Sequence, residues 1–179
     1  MTHQELKQGY VQVYTGNGKG KSTASFGLAL RAVGAGMNVV IIQFMKVKGC
    51  YAEEEGFKLL GSQLKHYAFG GKNWVKKGQG TPEDYALAKE AMDKALEAIT
   101  DPNNDLVILD EINNALYFEL VTEDEVLELL SHKLPKIEVV LTGRNAPEKI
   151  MEYADLVTEM REIKHYYQKG VNSRKGIEY

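Results

Sequence analysis

The 179-residue chain contains one cysteine, Cys50. A lone thiol closes no intrachain disulfide and has no second thiol for a zinc knuckle, so cysteine staples and cysteine–metal sites are excluded and a reducing, cytoplasmic setting is expected. Cys50 itself is expected to be a small packed side chain. Long hydrophobic runs are missing too. The longest aliphatic run is Val39-Val40-Ile41-Ile42, far short of the roughly 18 apolar residues a bilayer span needs. The stretch up to Tyr10 has no apolar segment of the secretory kind, so neither export nor membrane anchoring is expected. Positive charge is not in excess, with 22 Lys and Arg against 25 Asp and Glu and a net charge of −3. No global field therefore draws in nucleic acid or anionic lipid. The cluster Lys72, Lys76 and Lys77, with one aromatic beside it, reads as a solvated loop rather than a nucleic-acid face. Repeats, low-complexity tracts and linkers are also lacking. A chain of this length with 44% hydrophobic and 26% charged residues is expected to form one packed domain over residues 1–179.

What is present is an alternation of short β-branched runs with longer segments of helical period. Strands are expected at Tyr10–Tyr14, Asn38–Phe44, Leu64–Ala68, Asp105–Asp110, Ile137–Leu141 and Asp155–Glu159. Several are apolar without alternation, as parallel strands covered on both faces are. Between them an apolar helical stretch runs from Ser22 to Ala35, and Thr81-Pro82-Glu83-Asp84 opens a helix with buried stripe Ala88, Ala91, Met92, Ala95 and Ile99. Thr122 and Glu125 form a capping box, and Asn145-Ala-Pro147 opens a short helix. The pattern is α/β: a mostly parallel central sheet of about five to six strands with helices on both faces. The irregular stretches Lys46–Glu55 and Gly70–Gly80 each follow an expected strand, where open α/β sheets place their ligand loops.

Thr15-Gly-Asn-Gly-Lys-Gly-Lys-Ser22 lies between the first strand and the first helix, the context a phosphate-binding loop requires. Glycines let backbone N–H groups converge on phosphate oxygens, Lys21 adds a point charge, and the helix N-terminus adds its dipole. Gly16, Asn17, Gly18, Lys19, Gly20, Lys21, Ser22 and Thr23 are thus the candidate nucleotide contacts, with Ser22 a candidate magnesium ligand. The loop departs from GxxxxGK[ST] in having Thr15 where the first glycine belongs, with Gly16 one place later. Leu106-Val-Ile-Leu-Asp110-Glu111 has the form of a buried strand delivering two carboxylates at its end. Asp110 and Glu111 are metal candidates, one of which meets the magnesium or its waters. The loop alone fits a nucleotide hydrolase, a kinase or a binding switch as readily as any other nucleotide-dependent reaction.

The phosphate loop, the strand end Leu109-Asp-Glu111, Thr142-Gly-Arg144, and the tail from Glu159-Met-Arg161 through Lys164-His165 to Gly176-Ile-Glu-Tyr179 occur in one order. Together they resemble the ATP:corrinoid adenosyltransferases, over about Gly9 to Tyr179. The resemblance implies a single P-loop, RecA-like domain, usually a homodimer. Its reaction transfers the 5′-deoxyadenosyl group of ATP to the Co(I) of a reduced corrinoid, cobalamin or a precursor, and releases triphosphate. An electron-donor protein such as a flavodoxin is expected as a partner, beside the magnesium already expected from the phosphate loop. The family pattern has a phenylalanine and a tryptophan two residues apart that exclude the lower axial ligand. Here Trp74 matches the tryptophan, Lys72 stands at the phenylalanine position, and Phe69 is the nearby aromatic that could substitute. Lys21 and Trp74 are the expected catalytic residues. Arg144 is expected to reach phosphate or corrinoid amides, and Arg161, Lys164 and His165 to line the same edge. The segment before Gly9 is shorter than the corrinoid-covering arm that family members often carry.

Overall fold

The computed structural model describes residues 6–179; the expectations placed on the first five residues, signal and covering arm alike, lie outside the described residues. Six strands, β1 (Val11–Thr15), β2 (Val39–Phe44), β3 (Leu64–Phe69), β4 (Leu106–Asp110), β5 (Glu138–Thr142) and β6 (Leu156–Glu159), form one sheet in the order β3-β2-β4-β5-β1-β6. Every pairing is parallel. The helices are α1 (Lys21–Gly34), α2 (Glu53–Lys58), α3 (Pro82–Thr100), α4 (Ile112–Tyr117), α5 (Glu123–Ser131) and α6 (Glu148–Tyr153).

The continuous apolar run of β2 is accounted for by two cores, one on each face. Val40, Ile42 and Phe44 join α3, α4, α5 and α6, while Val39 and Ile41 join Ala29 and Ala32 of α1 and Phe57 of α2. Strands covered on both sides need no polar alternation. The stripe of α3 buries as expected, through Ala88, Ala91, Ala95 and Ile99, with Met92 partly buried. Both capping boxes form: Thr81 with Asp84 opens α3, and Thr122 with Glu125 opens α5. Cys50 corrects an expectation. It is exposed, because the chain has left β2 by then and crosses the surface before α2. Among the described residues no helix is long and apolar enough to cross a membrane.

All-parallel topology brings the C-terminal ends of six strands to one edge. The phosphate loop follows β1, Lys46 follows β2, Gly70–Gly80 follows β3, Glu111 follows β4, Gly143-Arg144 follows β5 and Met160-Arg161 follows β6. The Gly70–Gly80 stretch contains no helix or strand, whereas Lys46–Glu55 runs into α2 at Glu53.

Candidate active site

The phosphate loop is shaped by its neighbours as much as by any ligand. Gly18 N donates to Met160 O at 2.7 Å, so the backbone beyond β6 lies directly on the loop. A Cβ on Gly16 would come within 2.5 Å of Met160 O, and one on Gly18 within 2.7 Å. Gly16 also has φ +96°, a left-handed conformation that costs a side chain energy. These two glycines are therefore demanded by packing before any phosphate arrives. Thr15, in place of the expected first glycine, is buried, and its Oγ1 accepts from Ala146 N at 3.2 Å. The hydroxyl tethers the loop after β5, the one that carries Arg144.

Lys21 opens α1 and is only 8% exposed. Its ammonium donates to Gly16 O and Gly18 O, both at 2.8 Å, closing the loop on itself. Burial pushes its pKa below the ordinary lysine value; Glu111 opposes that shift and Arg144 adds to it. A bound polyanion reverses the imbalance by supplying negative charge where an ammonium has been desolvated. Gly18 to Thr23 line a cavity of about 680 Å³, joined by Arg144 and His165 and, from the tail, by Gly176 to Tyr179. That volume lies in the range of ligand pockets, about 300–1,000 Å³. Gly16 and Asn17 stand outside its lining, as do Arg161 and Lys164. The His165 ring lines it but accepts from Tyr167 N through Nδ1 at 3.0 Å.

The two carboxylates at the end of β4 part company. Asp110 is fully buried, with Oδ1 accepting from Thr142 Oγ1 at 2.7 Å and Oδ2 from Gln43 Nε2 at 3.0 Å. Gln43 Oε1 in turn accepts from His66 Nε2 at 2.7 Å. Glu111 adopts a left-handed φ of 64°, and its backbone N donates to Thr142 Oγ1 at 3.0 Å. Its carboxylate, held by Asn114 Nδ2, enters the cavity that Ser22 lines, whereas Asp110 stays behind the wall. Burial, then the charge of Asp110, raises the pKa of Glu111, opposed by Lys46, Lys21 and Arg144. An oxygen-only pair of hydroxyl and carboxylate beside a lysine-lined phosphate site suits a hard divalent cation.

A second cavity of about 230 Å³ opens beside the first, lined by Phe44, Met45, Phe69, Trp74, Val75 and Phe118 among others. The two share Lys46, Glu111 and Asn114. Trp74, the sole tryptophan, is 99% exposed at the rim, so it is no core aromatic. Phe69 lines the same cavity, while Lys72 is exposed and outside its lining. Sequence reasoning did not single out Asn114, Tyr166 or Gln43, and reached Lys46 only as the start of the expected ligand loop Lys46–Glu55. Gln43 left a trace as the one polar residue in the β2 run.

A polar, lysine-rich cavity thus abuts an aromatic one along a shared wall. Residues 7–179 match the family model described as ATP:corrinoid adenosyltransferase BtuR/CobO/CobP. The chain belongs to that family. It is similar to the corrinoid adenosyltransferase of a Sinorhizobium species, 42% identical over 97% of this chain and 81% of the relative. The corrinoid adenosyltransferase of Pseudomonas aeruginosa is 37% identical over 97% and 85%, and that of Salmonella typhimurium 34% over 97% and 87%. The crystal structure of the flagellar accessory protein FlaH from Methanocaldococcus jannaschii shares the fold. Its TM-score is 0.59 at 16% identity, covering 86% of this chain and 72% of that one.

Proposed function

We propose that this corrinoid adenosyltransferase moves the 5′-deoxyadenosyl group of ATP onto the Co(I) of a reduced corrinoid. The Co–C5′ bond forms as the C5′–O5′ bond breaks, triphosphate leaves with the bonding electron pair, and cobalt passes from Co(I) to Co(III). A Co(I) corrinoid is itself a strong nucleophile and no proton moves, so the protein needs no general base. Its tasks are positional and electrostatic. The adjacency of the two cavities supports this reading most directly, since the sugar carbon must lie between phosphate site and macrocycle.

Lys21 and Lys19 neutralise the leaving triphosphate, with backbone N–H groups of Lys19 to Thr23 around it and Arg144 at the rim. Gly16 and Asn17 shape the loop from behind. Ser22 and Glu111 would hold magnesium, which when bound adds charge to stabilise the leaving group, and Asp110 keeps the Glu111 turn in place through Thr142. A corrinoid is far too large to sink into about 230 Å³; it lies across the mouth, where Trp74 and Phe69 cover the cobalt face and keep the axial ligand away. We place the reaction in the cytoplasm, in a homodimeric, single-domain protein over residues 1–179, with an electron-donor protein such as a flavodoxin reducing the corrinoid, cobalamin or a precursor.

The test is incubation with ATP, magnesium and chemically reduced cobalamin. A light-sensitive cobalt–carbon bond and stoichiometric triphosphate are expected, and Lys21→Ala should lose at least about 100-fold in turnover. ADP as the product would mean a hydrolase or kinase and would overturn the assignment.

A further inference from the structure

The tail motif Gly176-Ile-Glu-Tyr179 has no part in the chemistry above, yet it forms a wall of the larger cavity. Glu178 reaches back across the chain to the phosphate loop. Its Oε1 accepts from Lys19 Nζ at 3.1 Å, from Arg174 Nη2 at 3.1 Å and from the Tyr166 hydroxyl. Its Oε2 accepts from Arg174 N at 2.7 Å and Arg174 Nε at 3.2 Å. The segment is closed on itself as well, with Glu178 N donating to Arg174 O at 2.9 Å and Gly176 N to Tyr179 O at 2.6 Å.

We propose that Glu178 is a positioning residue of the nucleotide site, holding Lys19 at the phosphate loop and fastening the Arg174–Tyr179 segment as a wall of the ATP cavity. This rests on the reading of that cavity as the ATP site and extends it to the tail. The Glu178 side chain is 16% exposed and that of Lys19 39%, so the bond is partly shielded while the ammonium stays accessible to a ligand. An ammonium has three donors, and Lys19 uses one on Glu178 and one on Tyr166 Oη at 3.3 Å. A third remains for a phosphate oxygen, so Lys19 can span carboxylate and triphosphate together. Five donors converge on Glu178, more than the roughly four acceptor positions of a carboxylate, so its anchoring to Arg174 and Tyr166 does not rest on Lys19 alone. Two cations against one carboxylate also leave the cluster net positive, so it attracts a polyanion. A lysine on a glycine-rich loop would otherwise lose its rotamer freedom on binding; here it is ordered beforehand.

The experiment is a double-mutant cycle read as ATP affinity by calorimetry, without cobalt: wild type, Glu178→Gln, Lys19→Met and the double variant. Glu178→Gln should weaken ATP about three- to tenfold when Lys19 is present and less than about twofold when it is Met. Trypsin cleavage after Arg174 or Lys175, followed by mass, should be faster in Glu178→Gln than in wild type. Equal losses in both backgrounds would reduce Glu178 to a structural tie for the tail, and unchanged affinity with unchanged cleavage would remove it altogether. Because no corrinoid is present, a protein that binds ATP with this coupling but forms no Co–C bond would fail the proposed reaction and keep this inference. The opposite pattern would fail only the inference.

Discussion

Trp74 illustrates how one side chain can be separated from the fold that carries it. Being 99% exposed, it buries almost nothing, and removal of an exposed side chain outside a network usually changes stability by less than about 0.5 kcal/mol. Trp74→Ala should therefore unfold at the wild-type temperature. If the indole keeps the axial face of cobalt empty, this variant should slow more with Co(II) plus reductant than with preformed Co(I). Equal slowing under both conditions would assign Trp74 to corrinoid binding alone. The tryptophan was legible because it is the only one and sits in a glycine-rich stretch. That Phe69 lines the same cavity, three positions before Lys72, depends on where β3 ends, which composition does not fix.

At the level of elements, β3, β2, β4 and β5 are joined by the polar chain His66, Gln43, Asp110, Thr142, which starts in the middle of β3 and ends at the C-terminal ends of β4 and β5. The Gln43 amide nitrogen donates to Asp110, which leaves Gln43 Oε1 to accept from His66 Nε2–H. Burial holds the His66 pKa below its ordinary value near 6.5. The unfolded chain then binds the proton more readily than the folded one. Stability should be full at and above about pH 6.5 and should decline as the pH falls through the window below it. Thermal midpoints between pH 5 and 7.5 should show that decline in wild type and a shallower one in His66→Gln; parallel curves would detach His66 from the acid response. The elements themselves were largely readable. Six runs became six strands, shifted by a residue at some ends; β2 and β4 were the plainest because strands covered on both faces have a distinctive composition, whereas β6 is an exposed edge. Helices α2 and α4 were not, since each is only six residues long and takes its stability from packing of Phe57, Ile112 and Ala115 rather than from a period. The divergence of Asp110 and Glu111 had the same origin. Adjacent carboxylates look equivalent in a sequence, but Asp110 is held in the wall by Thr142 and Gln43 while Glu111, in a left-handed turn, is held by Asn114 in the cavity.

For the molecule as a whole, the decisive feature is that two cavities of opposite character share Lys46, Glu111 and Asn114. Asn114 is the tightest link among them: its Nδ2 donates to Glu111, and its Oδ1 accepts from Arg144 N at 2.8 Å. One amide thereby fixes both a wall residue of the two cavities and the loop that brings an arginine to the nucleotide. Ligands that share a wall bias the same side chains, and any coupling between them must be reciprocal in free energy. Trp74, alone of its kind and at the rim of the smaller cavity, offers a fluorescence signal for corrinoid binding without turnover. Titrating oxidised cobalamin, which cannot attack ATP, should give an affinity that changes by about fivefold or more when ATP and magnesium are present. The ATP affinity measured at saturating cobalamin should change by the same factor. Asn114→Ala should bring both factors close to one, because the amide is the part held in common, and each affinity measured alone should fall by less than the coupling does. Cobalamin affinities indifferent to ATP in the wild type would mean that the shared wall is rigid, and the two substrates would then meet by placement alone.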